Sequence, residues 1–519
     1  MQKTKQPRIL VITLGEATLD LIVPWVKAGV LPTFKRLMET GAWGPIKSQI
    51  PLITPQLWGS MVTGTNPGQH GAFDFWQRGP DGRFREINGS GLKQPAIWQL
   101  LSDRGLSSGI VNLPFTYPPQ RIRGFMIAGQ DAPGANRSIA SPPSVYDEVI
   151  NRFGRYRLKD IFPGGRRKED YLTLIEEDIR KQTDVLEHLI ATKPWDFFMT
   201  FYSATAMVQH YFWSDMESKD SGNPFRDVLP GTYRYLDAAI DRLMKAAGPD
   251  TLVFIISECG AGRLQSGVQI NAWLSQEGFL TWKTPPVPGS DTGNYSQNRS
   301  GFGSALSSIQ KRAKRGLPPL LYFLANRYLG PVKNWIRSYQ SQSGIAWEKT
   351  QAFSQGKEGD IFINRKGRDP HGIVAQGQEY ETVCNRIIDR LQQLVDPSTG
   401  EKVVERVYRA EELYEGPWFA WAPDLIVDWR NHAYMPTEED GDRVSVFVPR
   451  MREHMDWPTT GSHRIDGMLL VAGPGIKPSA QFNGVRLIDL MPTWLACLGQ
   501  PVPADVRGRP IAGLVPPGA

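Results

Sequence analysis

Residues 8–14 read RILVITL, a short run rich in β-branched side chains that is typical of a buried strand. Helical patterns follow directly over residues 19–27 and 32–40. The same alternation of apolar run and amphipathic segment recurs along the chain. We predict further strands at 195–202, 252–256 and 468–472, and further helices at 171–192, 229–246 and 487–498. Strands separated by helices indicate an α/β fold with a mostly parallel central sheet sandwiched by helices.

The composition is that of a globular protein with a small surplus of positive charge. The chain has 519 residues, and its 59 Lys and Arg against 53 Asp and Glu give a net charge of +6. This surplus predicts no specific nucleic-acid partner, because such partners require clustered basic residues. Cys259, Cys384 and Cys497 are widely spaced, which argues against a disulfide framework and favours a reducing compartment. With no signal-peptide pattern and no apolar run long enough to cross a bilayer, we expect a cytoplasmic location.

We expect one α/β core that is interrupted by an insertion. The predicted divisions are a first part of the core at 1–284, an inserted cap at 285–350, and the remainder of the core at 351–519 with a small α+β portion. Residues 292–347 contain no acidic side chain but eight basic ones, together with an apolar stripe. The segment 299–338 is then either a basic surface for an anionic membrane, a protein partner or an anionic ligand, or a cap that packs on the sheet. The second interpretation is favoured.

Polar residues follow several of the predicted strands, where open parallel sheets bind their ligands. A further candidate is Thr54-Pro55, since Thr is suited to a helix N-cap and Pro to the first helical position. A hydroxyl there faces free backbone N–H groups, which favour a bound phosphate or sulfate. Thr54 is alternatively only a cap, and its spacing alone favours the cap.

Several motifs in a fixed order carry a resemblance to a known superfamily. They are IPLITPQLW at 50–58, TGTNPGQHG at 63–71, VQHYFW at 208–213, GSHR at 461–464 and LIDLMPTW at 487–494. With these motifs the sequence resembles the alkaline phosphatase superfamily, in particular its type I phosphodiesterase/nucleotide pyrophosphatase-like branch of phosphohydrolases and phosphomutases. The resemblance covers nearly the whole chain and implies an alkaline phosphatase-like core with a variable cap.

The resemblance also implies a site chemistry. In that superfamily two divalent metals, commonly zinc, flank a Thr or Ser nucleophile and are held by Asp and His side chains. One metal lowers the pKa of the hydroxyl, the other activates the water that cleaves the covalent intermediate, and both neutralise the phosphoryl oxygens. Such a site needs several carboxylates, because two dications carry about four positive charges.

Seven positions of this sequence match the site of that superfamily. The retained residues are Thr54 as nucleophile, and His210 and His463 as ligands. Residues that differ but still offer ligand atoms are Glu258 and Cys259, in place of an Asp-His pair. The two residues without ligand atoms are Gly15 and Ala206, each in place of an Asp. The matched set has therefore lost most of its carboxylates.

This pattern divides the implied site into two halves. The water-side half keeps His210 and His463 but lacks its carboxylate, and zinc normally takes three protein ligands. The nucleophile-side half has Thr54, Glu258 and Cys259. Glu16, the residue next to Gly15, is a further candidate ligand of this half. We therefore expect at most one weakly held divalent metal, zinc or manganese.

Each surviving residue also has a plain structural explanation. His210 and His463 are alternatively remnants of the superfamily site that are hydrogen-bonded to neighbouring backbone. Cys259 is alternatively a small buried apolar side chain, and Glu258 is alternatively a surface carboxylate. His70 lies in a turn that is structural in the superfamily, so we expect packing or hydrogen bonding from it. The remaining histidines lack ligand spacing and receive no role; they are His188, His371, His432 and His454.

We conclude from the sequence that this is a phosphohydrolase-like protein with a degraded metal site. We expect it to be catalytically impaired and to bind an anionic ligand at the Thr54 helix or a partner through the basic segment. One alternative is an active metal-dependent phosphoester hydrolase that uses Thr54 as nucleophile with altered coordination. The other is a peripheral membrane protein that binds through residues 299–338.

Overall fold

The computed structural model describes a chain with a large central sheet and several smaller sheets. The described residues are 7–79, 82–154, 163, 166–283, 344–356, 358–437, 445–449 and 457–514. Most of the predicted cap, including all of 299–338, lies outside the described residues. Its packing and its partners therefore stay predictions.

Strands β1 to β21 alternate with the helices along most of the chain. They are Arg8–Leu14, Ala42–Lys47, Trp76–Arg78, Phe84–Glu86, Ser108–Val111, Gly124–Ile127, Ala140–Ser141, Phe197–Tyr202, Thr251–Ser257, Gly260–Arg263, Ser266–Val268, Ala352–Ser354, Ile361–Ile363, Arg406–Arg409, Leu425–Asp428, Tyr434–Pro436, Phe447–Val448, Gly461–Arg464, Asp466–Ala472, Ala480–Gln481 and Val485–Arg486.

Helices α1 to α13 follow in the same order. They are Leu19–Lys27, Pro32–Thr40, Thr54–Thr63, Pro67–His70, Ile97–Asp103, Pro143–Phe153, Lys168–Thr192, Ala204–Met216, Val228–Ala247, Ile270–Gln276, Gln378–Leu391, Ala410–Leu413 and Leu490–Cys497. The segment predicted as one helix at 487–498 begins as a 3₁₀ turn, Leu487–Asp489, before α13. The other predicted strands and helices are confirmed to within a few residues.

The central sheet has ten strands, in the order β20-β2-β19-β9-β1-β8-β5-β6-β7, with β21 beside β2. Strand β1 is at the middle of the run and pairs in parallel with β8 and β9. Strand β19 is antiparallel to both of its neighbours, and β7 is antiparallel to β6. The mixed sheet with helices on its faces confirms the predicted α/β class.

The apolar alternation along β1 explains why both faces of the sheet are covered. Leu10 and Ile12 belong to one core cluster, which contains residues of α7 and α9. Ile9 and Val11 belong to the other cluster, which contains residues of α3 and α13. Successive side chains of a strand point to opposite faces, so a continuous apolar run requires a helical layer on each side.

A smaller sheet forms where the sequence predicts an α+β portion. It has four strands in the order β12-β13-β15-β14, and all pairs are antiparallel. Its apolar cluster contains residues of α10 and α11. A separate two-stranded pair, β10 with β18, places the segment around His463 next to the end of β9.

Candidate metal and phosphoester site

The central strands β9, β1 and β8 are neighbours and run parallel, so their carboxyl ends lie at one edge of the sheet. The residues that follow these ends are Glu258-Cys259, Gly15-Glu16 and the start of α8. The pairing of β10 with β18 sets Ala261 opposite His463. Residues far apart in sequence therefore meet at the place where open α/β sheets bind ligands.

Glu16 is held in an unusual backbone conformation at the end of β1. Its φ is 58°, in the left-handed region that non-glycine residues rarely adopt. The Gln209 side-chain amide donates to the Glu16 carbonyl at 3.0 Å, and Tyr233 OH donates to Gln209 Oε1 at 2.9 Å. Thr205 Oγ1 donates to the Gly15 carbonyl at 2.6 Å. These buried bonds fix the turn and aim the Glu16 carboxylate away from solvent.

His210 lies on α8 and points its Nε2 atom at Glu16. Its Nδ1 lies 3.2 Å from the Gly461 carbonyl, which can only accept, so Nδ1 carries a proton and donates it. Nε2 lies 3.1 Å from Glu16 Oε1. A backbone acceptor on one imidazole nitrogen fixes the ring and leaves the other nitrogen for a ligand, as in many metal sites.

His463 completes the group from β18. Its Nδ1 lies 3.4 Å from Glu16 Oε1 and 3.9 Å from Cys259 Sγ. Burial alone lowers the pKa of His463, but the neighbouring Glu16 carboxylate raises it more, and the net pKa is well above the usual range. Burial likewise raises the pKa of Glu16, but His210 and His463 outweigh this effect and hold it well below its usual range. The three side chains are thus a strongly coupled charged group.

The donor atoms of Glu16, His210 and His463 suit one divalent ion. They all lie within 4.8 Å of one another. Tetrahedral zinc with bonds of about 2.0–2.1 Å separates its ligand atoms by about 3.3 Å, close to the two Glu16–His distances given above. One carboxylate and two imidazoles are also a common catalytic zinc donor set. The residues therefore fit a metal ion.

The two matched positions without ligand atoms face an apolar side chain. A β-carbon built on Gly15 would lie 3.3 Å from the Ala206 β-carbon and 3.0 Å from Phe201 Cζ. The Phe201 ring in turn packs edge-on against Trp58, with 5.3 Å between ring centroids. Apolar atoms of Phe201 and Ala206 therefore lie directly beside Gly15, one of the two positions that the resemblance assigns to carboxylates.

Thr54 is the first residue of α3, and Ile53 occupies the N-cap. The expectation that Thr54 is the N-cap is therefore wrong by one residue, because the helical backbone starts at Thr54 itself. Its hydroxyl makes no hydrogen bond to any described residue, so it does no capping. Its exposure is intermediate, which leaves the hydroxyl accessible to a ligand.

Glu258 is next to the Thr54 helix. The indole N–H of Trp58, one turn after Thr54, hydrogen-bonds the Glu258 carboxyl. Burial raises the pKa of Glu258 to about 8, and it raises the pKa of the Cys259 thiol to about 12. Glu258 Oε2 is buried and has no hydrogen-bond partner in the described part of the chain. Glu258 is therefore a buried side chain, whereas the plain explanation placed it on the surface.

The structure groups the sequence-derived candidates differently from the resemblance. Glu16 joins His210 and His463, so a carboxylate lies beside the His pair. Glu258 contacts Trp58 of the helix that begins with Thr54, and Cys259 contacts His463. The position of Glu16 with the His pair was not predictable from the sequence, because the direction of its side chain depends on a left-handed backbone.

Two further histidines bear on the predictions, namely His432, which received no role from the sequence, and His70, from which we expected packing or hydrogen bonding. The ring of His432 lies 6.4 Å from that of His463, measured between centroids. His70 is buried and lies with Nε2 2.9 Å from Ser60 Oγ, and its Nδ1 accepts from the Ala72 N–H at 3.3 Å. The expected hydrogen-bonding role of His70 is confirmed, whereas only spatial proximity reveals His432.

Comparison with known proteins identifies the family of this chain. The family model described as type I phosphodiesterase/nucleotide pyrophosphatase matches residues 9–463. The chain belongs to this family. The match includes Glu16, Thr54, His210, Glu258, Cys259 and His463. A search of curated proteins found no match for the chain.

Solved structures similar to this type I phosphodiesterase family member share its fold. Phosphonoacetate hydrolase from Sinorhizobium meliloti, in complex with phosphonoacetate, is 14% identical, with 95% of this chain and 96% of that chain covered and a TM-score of 0.54. Human ectonucleotide pyrophosphatase/phosphodiesterase 5 is 12% identical, with 96% of each chain covered and a TM-score of 0.47. The likeness to phosphonoacetate hydrolase supports an alkaline phosphatase-like fold.

Family members are metal-dependent, and Glu16, His210 and His463 form a group in the described part of the chain that could hold a metal ion. The family assignment thus agrees with the donor set, although it does not select a particular metal. Among the described helices, none has the length and apolar character needed to span a membrane.

Proposed function

We propose that this chain holds a divalent cation at Glu16, His210 and His463 and binds an anionic phosphoester or phosphonate against it. We further propose that hydrolysis by the two-metal, Thr-nucleophile route is impaired. The observation that carries the proposal is the three-donor group, whose atoms lie within 4.8 Å of one another, beside an apolar pair of residues.

The donor set favours zinc, with manganese as the alternative, because both accept imidazole and carboxylate ligands. When bound, the ion supplies positive charge that neutralises phosphoryl oxygens. Glu16 would offset part of the charge of the cation, and the Gly461 carbonyl holds the proton of His210 on Nδ1, so that the lone pair of Nε2 faces the site. These are binding and orienting roles of the protein itself.

The start of α3 supplies the anion-binding part of the site. A helix N-terminus presents free backbone N–H groups and the positive end of the helix dipole, which together favour a phosphate group. The accessible Thr54 hydroxyl adds a donor at the same place. The likeness to phosphonoacetate hydrolase, solved with phosphonoacetate, supports an anionic ligand of this chemical class.

The impairment follows from the residues around Gly15 and Ala206. Neither residue has a ligand atom, and the Phe201 ring lies within contact distance of a β-carbon at Gly15. A cation on the nucleophile side then has only Glu258 and Cys259 of the matched ligand positions, in addition to Thr54. Fewer anionic ligands leave the charge of a second ion poorly compensated in a buried site.

An active hydrolase with Thr54 as nucleophile is the second candidate function. Two observations favour it, namely the accessible Thr54 hydroxyl and the buried, unpartnered Oε2 of Glu258. A cation next to Glu258 would satisfy that oxygen and lower the pKa of the Thr54 hydroxyl. The two candidates differ in whether Thr54 forms a bond to phosphorus.

One experiment separates the two candidates. Metal-stripped protein is reloaded with zinc or manganese, its metal content is measured, and turnover of aryl phosphate monoesters and diesters is assayed. We expect Glu16→Gln to remove one equivalent of metal and turnover to stay near background. Metal-dependent turnover that Thr54→Ala abolishes, and that Thr54→Ser retains, would establish the hydrolase instead.

The location and the wider partners rest on sequence features alone. We propose a cytoplasmic location from the cysteine usage, and an anionic membrane or protein contact through residues 299–338 as an alternative activity. Sedimentation with anionic vesicles over a salt series tests the membrane contact, because an electrostatic contact weakens as salt rises. Vesicle binding that does not change with salt concentration would contradict an electrostatic membrane contact.

A further inference from the structure

A cleft with a basic lining lies at the edge of the central sheet that β20 and β21 form. It has a volume of about 650 Å³ and is enclosed by the β20–β21 connection, the start of the last helix and the chain after it. Its charged lining residues are Arg486, Asp489, Arg507 and Arg509. This volume is typical of sites for small molecules. Three positive charges against one negative charge therefore indicate an anionic occupant.

Asp489 organises the cleft and does not oppose an anion. Its Oδ2 accepts from the Arg486 backbone N–H at 3.0 Å and from Arg486 Nε at 3.2 Å. Its Oδ1 accepts from Arg486 Nη2 at 2.8 Å and from the Arg509 backbone N–H at 2.9 Å. Four donors thus satisfy both oxygens of this buried carboxylate, and the bidentate pair offsets its charge. The positive field of the cleft then comes from the two remaining arginines.

Arg509 and Arg507 have unused donors. The Arg509 side chain is exposed, and its guanidinium pairs with no carboxylate in the described part of the chain. Arg507 Nε lies 2.9 Å from Glu415 Oε1, but the two side chains are 56% and 62% exposed. Ion pairs as exposed as this one contribute little stability, so Glu415 does not commit the Arg507 guanidinium. A guanidinium carries five N–H donors, which leaves most donors of both residues for a ligand.

The backbone that carries these two arginines is fixed by Gly508. A β-carbon at Gly508 would lie 1.9 Å from the Ile488 carbonyl oxygen, so the close approach of the two segments requires glycine. The backbone N–H groups of Arg507 and Gly508 donate to the Gly64 carbonyl at 2.9 and 3.0 Å. The two side chains therefore extend from a backbone that is held on both sides.

The cleft lies at the opposite end of α3 from Thr54. Gly64, which accepts the two bonds just described, is the C-cap of α3, whereas Thr54 is its first residue. At a rise of 1.5 Å per residue the two ends are about 15 Å apart along the helix axis. An anion in the cleft is therefore separate from one bound at the start of α3.

We propose that this cleft binds a small phosphate-bearing anion through Arg507 and Arg509, with Arg486 in its wall. Phosphate is favoured because the planar fork of a guanidinium matches two of its oxygens, and two such forks line the cleft. Gln481 and Asn483 also line it and offer neutral polar groups to the rest of the ligand. The proposal does not depend on the proposed function, because no lining residue belongs to the metal-binding group.

Calorimetric titration of metal-stripped, full-length protein with inorganic pyrophosphate tests the cleft. We expect Arg509→Gln to weaken the affinity by about 10-fold or more, since hydrogen bonds to a charged partner are lost. The variant should fold, because the replaced guanidinium has no carboxylate partner in the described chain. Arg121→Gln is the matched control, because Arg121 is likewise exposed but does not line the cleft. It should bind pyrophosphate as the wild type does.

Two further variants complete the experiment. Arg507→Gln/Arg509→Gln should weaken pyrophosphate binding more than Arg509→Gln alone. Thr54→Ala should keep the Arg509-dependent binding, which distinguishes the cleft from the start of α3. The proposal is overturned if metal-stripped wild type binds no pyrophosphate, or if Arg509→Gln binds it as tightly as the wild type. It is also overturned if Arg121→Gln weakens binding equally or if Thr54→Ala abolishes it.

Discussion

Glu16 Oε1 lies 3.1 Å from Nε2 of His210, although the two residues are 194 positions apart in the chain. The contact exists because the left-handed backbone of Glu16 turns its side chain from the end of β1 toward α8. The preceding residue, Gly15, has no side chain to offer, and Ala206 has no ligand atom. Glu16, the residue next to Gly15, therefore places a carboxylate beside His210.

Replacing Glu16 by Gln should weaken zinc binding at the first site. The amide keeps the volume but loses the negative charge that balances the cation. Loss of residues that only support a ligand costs about 10–100-fold in affinity, so loss of this direct ligand should cost at least that much. Competition with a chromophoric chelator measures the change. Glu148→Gln removes a carboxylate paired with His188 and should leave affinity unchanged.

Tyr233 positions Glu16 through Gln209, so Tyr233→Phe should lower metal affinity by about 10-fold without touching a ligand. The change leaves the Gln209 acceptor unpaired and should reduce the free energy of unfolding by about 1–3 kcal/mol. Tyr202→Phe is a matched control, because its buried hydroxyl bonds Thr183 at 2.9 Å. The control should lose stability only. Equal metal affinity in the two variants would contradict a positioning role for Tyr233.

Restoring the family carboxylate at Gly15 should be opposed by Phe201. Gly15→Asp should cost about 1–3 kcal/mol of unfolding free energy, because the new β-carbon would meet the Phe201 ring at 3.0 Å. The same change should cost less in a Phe201→Ala background, and urea unfolding of the double-mutant cycle measures this coupling. Gly134→Asp is a control, since nothing lies within 4 Å of a β-carbon there. Identical costs in the two backgrounds would exclude the steric explanation.

His70 should make stability depend on pH. Burial lowers its pKa from 6.5 to about 3, so the folded protein keeps the imidazole neutral while the unfolded chain is protonated below about pH 6.5. Stability is therefore present above that pH and is lost as the pH falls toward 3. Between pH 7 and 5 this loss amounts to about 2 kcal/mol.

His70→Gln removes this titration and should flatten the dependence by about that amount, whatever its effect at pH 7. Urea unfolding at the two pH values measures the difference. An unchanged pH dependence in the variant would show that other groups produce it.

The strands and helices of the core were predictable because their periodicity is local. The run at residues 8–14 has β-branched residues and no polar interruption on either face, so a strand buried on both faces is the simple solution. The antiparallel placement of β19 was not predictable, because strand order depends on contacts between distant segments. The same limit applies to the N-cap of α3. A shift of one residue decides whether Thr54 or Ile53 is the cap, and local sequence patterns do not resolve such a shift.

The sequence by itself determined the α/β class, the family resemblance and the set of residues from which a site is built. Only the tertiary structure decided how those residues are grouped, including Glu16 with the His pair, Phe201 beside Gly15, and His432 beside His463. The physical reason is that periodicity and motif order are written along the chain, whereas side-chain direction depends on backbone turns and on hydrogen bonds between residues hundreds of positions apart.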